Sequence, residues 1–376
     1  MKKIFFLIDS LVMGGAQRQL VELAINLDRT LFAPAVVIYF DIQQLRSDLE
    51  EAGIPVYLIE KKSKFDVCFL FRLIRFLKIE KPDILQSYLN TANFWARIAG
   101  WFAGVRHVII SERSGDVGAS RSFAKTRIML EKMLQYFCSR TVCNSEYVKS
   151  RLIHCAGVNP KKIHVIYNGV DVRKFNNSTP GQIEELRATY GITTSDFVIA
   201  LVGRIAAEKN HACLIRAISK LGELGKNVRV LFVGNELDIE LKNSLRNEIA
   251  INNLEKQIIF AGAHTNMAAI YAVTNVVVLP SIWESFPNVI LEAMAAGRPV
   301  VASDISDNRF VVQHRITGYL FENGNSEQLA TCLRKLICMD AQQLRVMGET
   351  GKALARYKYS NDIMVGKFKD IYVTLS

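Results

Sequence analysis

Short β-branched runs alternate along the chain with longer stretches carrying apolar residues at helical spacing. "KKIFFLID" is followed by "GGAQRQLVELAINL" and then "FAPAVVIYF"; "VYLIE", "PDILQSY" and "HVIIS" read as further strands separated by helices. Continuous apolar runs of this kind suit strands buried on both faces, and helices of ten or more residues between them supply parallel crossovers. The pattern restarts after "KKIHVIYNGVDVRKFNNSTPGQ". There "FVIALVG", "VRVLFVG", "QIIFAG" and "NVVVLP" are strands and "NHACLIRAISKLGEL" is a helix. The prediction is an α/β chain of two Rossmann-like, doubly wound parallel-sheet domains.

Length agrees, since 376 residues, half of them hydrophobic, exceed what one core usually organises. The expected division is residues 1–170, residues 171–356, and a last helix over 357–376 that packs back on the first domain. The polar stretch 171–182 is the expected linker. Ligands of such sheets bind beyond the carboxyl ends of the strands, so a central cleft faced by both halves is the expected site.

Targeting signals change little. No run reaches the ~18 apolar residues of a membrane span. "MKKIFFLIDSLVMGGA" begins like a signal peptide, but Asp9 ends its apolar run after five residues, short of the ~7–15 of a signal core. Seven scattered cysteines (68, 138, 143, 155, 213, 332 and 338) lack Cys-x-x-Cys spacing and fit reduced thiols better than a disulfide frame or zinc site. A cytoplasmic setting is expected.

Charge is more informative. Of the net +11, residues 1–168 carry +9 (24 Lys and Arg, 15 Asp and Glu) and the remainder only +2. An anionic partner for the first half follows. The second half offers no continuous basic face, and no RNA- or DNA-binding motif occurs, so nucleic acid is not expected.

Three stretches hold candidate chemistry. Gly14 and Gly15 follow the first strand and open a helix, where free N–H groups favour an anion. Taken alone the pair is more often a tight turn, and it is not the G-x-G-x-x-G of a nicotinamide site. "LVGRIAAEKNH" delivers Arg204 and Lys209 into the loop after a buried strand, where two cations suit a diphosphate; either alone could be a solvated loop residue. Finally, "SIWESFPNVILEAMAAGRPVVAS" places Glu284 before a helix and Glu292 inside it. A helix stopped by Gly297, with Pro299 beyond, is predicted from Asn288 onward. Glu284 can accept hydrogen bonds from sugar hydroxyls, Glu292 can hold a ribose, and the helix N-terminus between them suits phosphates. An ordinary N-terminal acid would also explain Glu284. Glu292 sits in "VILEAMAA", where a carboxylate is costly without a partner.

"ESFPNVILE" resembles the E-x7-E element of the retaining family 4 glycosyltransferases (glycosyl transferases group 1) of the GT-B fold. "GGAQRQLVELA", "IYNGVDVRKF" and "VGRIAAEKNH" resemble that family's other landmarks, in order. The resemblance runs over most of the chain, is strong in residues 165–320 and is looser over about 60–160. It implies a nucleotide-sugar-binding second half and an acceptor-binding first half. By it, Gly14 and Gly15 approach the donor from the first half, and Arg204 and Lys209 balance the diphosphate. Glu284 holds the transferred sugar together with Ser285, Phe286, Pro287, Asn288 and Val289. Glu292 holds the ribose, and the loop at Ala263 and His264 meets the base. Asn168 and Gly169 lie at the hinge entrance. Arg204, Lys209 and Glu284 are then the catalytic candidates, transfer is retaining, and no metal or other cofactor is implied, in keeping with the lack of an Asp-x-Asp.

Two departures stand out. "VGNELDIE" replaces the "GDGP" of many relatives. "SERSGD" stands where many carry a histidine that touches the donor sugar, so Ser111, Glu112 or Arg113 takes that place or none does. His107 begins the strand and is read as packed or exposed. Other readings are a GT-B sugar-nucleotide 2-epimerase and a nucleotide-sugar-binding protein without turnover.

"KKSKFDVCFLFRLIRFLKIEKPD" and "SRSFAKTRIMLEKMLQYFCSR" interleave Phe and Leu with Lys and Arg at helical spacing. Such helices can lie on anionic membranes, although a core-facing apolar side and a solvated basic side explain either one alone. With the +9 balance, the expectation is a peripheral enzyme at the inner face of the plasma membrane. It would use a UDP- or GDP-sugar and a saccharide or lipid-linked saccharide acceptor in cell-surface polysaccharide or lipopolysaccharide synthesis.

Overall fold

In the computed structural model, residues 1–63, 66–113, 129 and 131–375 are described. The first sheet contains β1 (Lys2–Ile8), β2 (Phe32–Ile38), β3 (Val56–Leu58), β4 (Ile84–Tyr88), β5 (His107–Glu112), β6 (Arg140–Cys143) and β7 (Ile163–Val165). The second contains β8 (Phe197–Val202), β9 (Val228–Val233), β10 (Ile258–Gly262), β11 (Val276–Leu279), β12 (Val300–Ser303) and β13 (Gly318–Phe321). Their orders are β3-β2-β1-β4-β5-β6-β7 and β10-β9-β8-β11-β12-β13, and the pairings are parallel. Each order reverses once, at β1/β4 and at β8/β11. Open sheets of this type hold their ligands at such a switch point.

Both faces of the first sheet are buried, which is why its strands lack polar alternation. Ile4, Phe6 and Ile8 of β1 enter one core with Leu20, Leu23 and Phe368. Phe5 and Leu7 enter the opposite core with Phe69, Leu73 and Ala96. The two-residue period of a strand divides β1 between these cores. In the second sheet Ile199 and Leu201 of β8 pack with Leu214, Phe232 and Leu333.

The chain forms two compact units, Val170–Ser360 and a discontinuous unit of Met1–Gly169 with Asn361–Ser376. The crossings fall at Gly169/Val170, one residue before the expected 170/171 division and ahead of the expected linker 171–182, and at Ser360/Asn361, four residues after the expected 356/357 division. Residues 171–182 are structured: Val172–Phe175 forms a 3-10 turn, and Thr179 and Gln182 make a reciprocal capping box on the Pro180–Thr189 helix. The Ala341–Tyr359 helix belongs to the second unit. The Asn361–Thr374 helix buries Met364, Phe368, Ile371 and Tyr372 in the first. Its end is held by Lys2 Nζ, which donates to the carbonyls of Tyr372 and Leu375, both at 2.9 Å.

Among the described residues no helix is long and apolar enough to cross a membrane. Of the two basic amphipathic stretches, the first forms the Val67–Glu80 helix. Of the second, residues 120–128 and 130 lie outside the described residues.

Candidate functional site

Two loops meet at the switch point of the second sheet. After β8 the chain passes Gly203 and makes a 3-10 turn at Ala207–Lys209, and Asn210 in the left-handed region (φ 51°) starts the His211–Ser219 helix. Gly234 directly follows neighbouring β9, and a Cβ there would lie 2.2 Å from the Gly203 carbonyl oxygen. Only a glycine lets these two strand ends approach so closely. Ile205 N–H then donates to the Asn235 carbonyl at 2.8 Å, so "VGNELDIE" supports the Arg204 loop through its backbone.

Lys209 crosses to the loop that leaves β11. Its Nζ donates to Glu284 Oε1 at 2.5 Å, and Ser281 Oγ donates to the same oxygen at 2.7 Å. The pair is mostly buried, with 17% and 14% of the two side chains exposed. Ser306 Oγ donates to the Glu284 carbonyl at 2.6 Å, and Ile282 N–H donates to the Glu208 carbonyl at 2.8 Å. The loops are therefore tied through backbone and side chains alike. Glu284 Oε2 has no hydrogen-bond partner among the described residues, which leaves one carboxylate oxygen able to accept from a ligand hydroxyl.

Arg204 is placed differently. It is two-thirds exposed and pairs with Glu208 Oε1 at 2.5 Å. Exposed pairs of this kind contribute little to stability, so an entering anion can take the guanidinium at small cost.

Past Glu284, Ser285, Phe286 and Pro287 are buried, and Phe286 packs on Tyr359 with ring centroids 6.2 Å apart. The helix Asn288–Ala295 follows, and its N-cap residue, Pro287, makes no side-chain cap hydrogen bond. It stops as the sequence indicates. Gly297 is left-handed (φ 68°), its N–H donates to Met294 O at 2.9 Å, and Arg298 N–H donates to Ala293 O at 2.9 Å. That is the Schellman arrangement. One turn inside the helix, Glu292 receives a 2.9 Å hydrogen bond from the hydroxyl of fully buried Tyr271. This phenol is the partner that a carboxylate in "VILEAMAA" requires.

His264 follows β10 and lies 2.5 Å, through Nε2, from the Tyr190 hydroxyl, which is also 3.1 Å from the Ala261 carbonyl. Burial pushes the Tyr190 phenol above its usual pKa, so it stays protonated and holds this loop.

Comparison with known proteins fits this layout. Residues 13–174 match the model of Glycosyltransferase Family 4, and residues 182–354 match that of Glycosyl transferases group 1. The chain belongs to the family 4/group 1 glycosyltransferases. It is similar to the UDP-Gal:alpha-D-GlcNAc-diphosphoundecaprenol alpha-1,3-galactosyltransferase of Escherichia coli, with 28% identity over 318 residues, 82% of this chain and 80% of that one. It is also similar to the capsular polysaccharide biosynthesis glycosyltransferase CapM of Staphylococcus aureus, with 25% identity over 315 residues, 82% of this chain and 81% of that one. Among solved structures, Anabaena Alr3699/HepE in complex with UDP-glucose superposes with a TM-score of 0.87 at 23% identity over the whole of both chains. The fold is GT-B.

Within its first unit the glycosyltransferase places Gly14 as the uncapped N-cap of the Gly15–Asn26 helix, directly after β1. Gly14 has φ −123°, so backbone strain does not demand a glycine there. His107 stands at the amino end of β5, remote from the ligand-binding edge, and burial chiefly holds its pKa below normal. At the carboxyl end Ser111, Glu112 and Arg113 are all buried. Tyr271, Tyr190, Ser281 and Ser306 escaped the sequence reading. Tyr271, Tyr190 and Ser306 lie outside the motifs, and Ser281 opens one without itself being distinctive, so only the folded chain reveals their contacts.

Proposed function

We propose that this glycosyltransferase transfers a hexose or N-acetylhexosamine, with retention of configuration, from a UDP- or GDP-sugar to a saccharide or lipid-linked saccharide acceptor. The observation that carries this reading is the Lys209–Glu284 pair at the β8/β11 switch point, beside the start of the Asn288–Ala295 helix. A cation for the diphosphate, a carboxylate oxygen for a sugar hydroxyl and a helix N-terminus occur there within one unit. The E. coli relative, named for UDP-Gal and a diphosphoundecaprenol-linked acceptor, and CapM, named for capsular polysaccharide synthesis, support a UDP donor and a role in cell-surface polysaccharide or lipopolysaccharide assembly.

In the proposed reaction the bond from the anomeric carbon to the diphosphate oxygen breaks, and the acceptor oxygen bonds to that carbon on the same face. The acceptor proton passes to the departing phosphate oxygen. Lys209 and Arg204 stabilise the charge that grows on the diphosphate, so their contribution is largest in the transition state. Glu284 orients the sugar, Glu292 the ribose, and the His264 loop the base. In the first unit, Gly14 and Gly15 at the start of the Gly15–Asn26 helix are the proposed anion contacts. Arg204 and Lys209 carry the neutralising role without a metal or other cofactor.

Screening UDP- and GDP-sugars for thermal stabilisation and transfer tests the reading, because a bound donor raises Tm by mass action. Failure of every nucleotide-sugar to stabilise the protein overturns it.

The acceptor and the enzyme's location share a surface. On the Val67–Glu80 helix Phe69, Leu73 and Leu77 form the buried stripe, while Val67, Phe71 and Ile79 are exposed beside exposed Arg72, Arg75 and Lys78. Trp101 and Phe102, more than half exposed, end the neighbouring Asn90–Ala103 helix. Bare aromatics among cations suit an anionic membrane at the cytoplasmic leaflet. Flotation with anionic and neutral liposomes at low and high salt tests this; protein that stays in the soluble fraction under all conditions sinks it.

A further inference from the structure

Arg113 follows β5 immediately and is 7% exposed, yet two of its three guanidinium nitrogens, Nε and Nη2, have no hydrogen-bond partner among the described residues. Nη1 donates to Asn168 Oδ1, and the guanidinium also lies within reach of the Tyr88 hydroxyl. Buried arginines are normally paired, because an ionised guanidinium removed from water without acceptors is costly. The free atoms matter here. Nε–H and Nη2–H form the side-on edge of the guanidinium, whose parallel N–H groups match the two oxygens of a phosphate or carboxylate.

The surroundings fix that edge in place. The Tyr88 ring, at the end of β4, lies 5.1 Å from Arg113 Cζ and supports the guanidinium plane. Gln86 Nε2 donates to the Tyr88 hydroxyl at 3.0 Å and to Ser111 Oγ at 2.9 Å, while the Tyr372 hydroxyl donates to Gln86 Oε1 at 2.5 Å. The C-terminal helix thus braces the layer beneath Arg113. Strand alternation sends the neighbouring carboxylate, Glu112, to the opposite face; on that side, against the cost of burial, the Glu131 ion pair chiefly keeps Arg97 ionised and Glu112 adds to it. Asn144 lies beside Arg113, one step beyond the Glu112/Cys143 pair of the β5–β6 ladder. It is 3% exposed and its Oδ1 is likewise unpaired. Four adjacent strands, β4 to β7, therefore present Tyr88, Arg113, Asn144 and Asn168 at their carboxyl ends, where parallel sheets bind ligands.

We propose that the Nε/Nη2 edge of Arg113 is an oxyanion site of the first unit that receives a phosphate carried by the acceptor, with Asn144 Oδ1 accepting from a neighbouring hydroxyl. The assignment to the acceptor rests on the reading that the first unit takes the acceptor and the second the donor. The oxyanion site itself rests on Arg113 alone. The acceptor class is then a phosphorylated or diphosphate-linked saccharide, and a neutral sugar without phosphate is a poor substrate.

Calorimetric titration of the full chain, first with UDP and then with inorganic pyrophosphate under saturating UDP, tests the site in wild type, Arg113→Met, Arg113→Lys and Glu284→Ala. The expected result is pyrophosphate binding to UDP-saturated wild type, weakened at least tenfold in Arg113→Met and less in Arg113→Lys, with UDP affinity within twofold of wild type in both. Glu284→Ala should lose UDP-sugar affinity and keep the pyrophosphate site. Melting curves serve as the folding control, and Arg113→Met should melt no lower than wild type because it removes an unpaired buried charge. Equal pyrophosphate binding in Arg113→Met, or none in wild type, overturns the proposal. Loss of UDP binding in Arg113→Met would give the edge to the donor diphosphate and overturn the acceptor assignment. Binding of glucuronate in place of pyrophosphate would overturn the phosphate assignment. Wild type that binds pyrophosphate but no nucleotide would sink the proposed donor function and leave the oxyanion site standing.

Discussion

Lys209 and Glu284, 75 residues apart, share a 2.5 Å hydrogen bond that joins the loops leaving β8 and β11. The lysine is neutralised inside the protein, and the carboxylate is oriented by it and by Ser281. Neither residue acts independently of the other.

That coupling gives the first prediction. Lys209→Ala and Glu284→Ala should each lower kcat/KM for transfer by about 10²–10³-fold, in the range for removal of one preorganised charged contact. Lys209→Ala/Glu284→Ala should lose much less than the product of the two, because partners in contact are not additive. Fully multiplicative losses in a double-mutant cycle would show that the pair does not act as a unit.

Tyr271 supports Glu292 from beneath. Tyr271→Phe removes one hydrogen bond to the carboxylate, about 1 kcal/mol or somewhat more, and should raise the KM for the donor by roughly tenfold with kcat nearly unchanged. Steady-state kinetics against donor concentration separates the two. A fall in kcat alone would place Glu292 away from the ribose.

His211 predicts a pH dependence of stability. The ring is 2% exposed and packs edge-on to Phe232, with neither nitrogen hydrogen-bonded among the described residues. Burial, with Lys209 adding to it, pushes its pKa down to about 4 from the ordinary 6.5. The unfolded chain therefore binds a proton that the folded chain refuses. Stability is whole above pH 6.5, falls as pH drops toward 4 and levels off below, by on the order of 3 kcal/mol. Denaturant unfolding of wild type and His211→Phe between pH 7 and 4 checks this; the variant should lose that part of the slope.

Phe368, fully buried, joins the C-terminal helix to the core that holds Ile4, Phe6 and Leu20. Phe368→Ala should destabilise the first unit by about 3–5 kcal/mol. Calorimetry should show the transition of the first unit moving down while that of the second stays within a degree or two.

Much of this architecture was legible in the residue pattern, because buried parallel strands must be continuously apolar and their crossover helices must be periodic. The E-x7-E spacing likewise placed Glu284 and Glu292 relative to a helix start, Glu284 on the loop just before it and Glu292 one turn inside. What pattern could not show were contacts across long separations. Tyr271 on Glu292, Tyr190 on His264 and Asn168 on Arg113 are ordinary residues until folding brings them together. The reading of 171–182 as a linker differs from the structure for a related reason. "NNSTPG" has linker composition, yet Asn176 holds Lys352 and Thr179 opens a helix. The true junction at Gly169 is marked by a close approach to Asn361, whose Oδ1 would lie 2.5 Å from any Cβ added there.

That junction, and the return at Asn361, bear on how the protein is made. The strands of the first sheet emerge from the ribosome early, but one wall of their core is supplied by Met364, Phe368, Ile371 and Tyr372. Some 190 residues of the other unit must be translated in between. Val170–Ser360 can finish folding as an uninterrupted segment while the earlier-made part waits with an apolar face uncovered. Newly synthesised chains are most prone to aggregation during that interval, and shortening the last helix by even two turns would make the interval permanent.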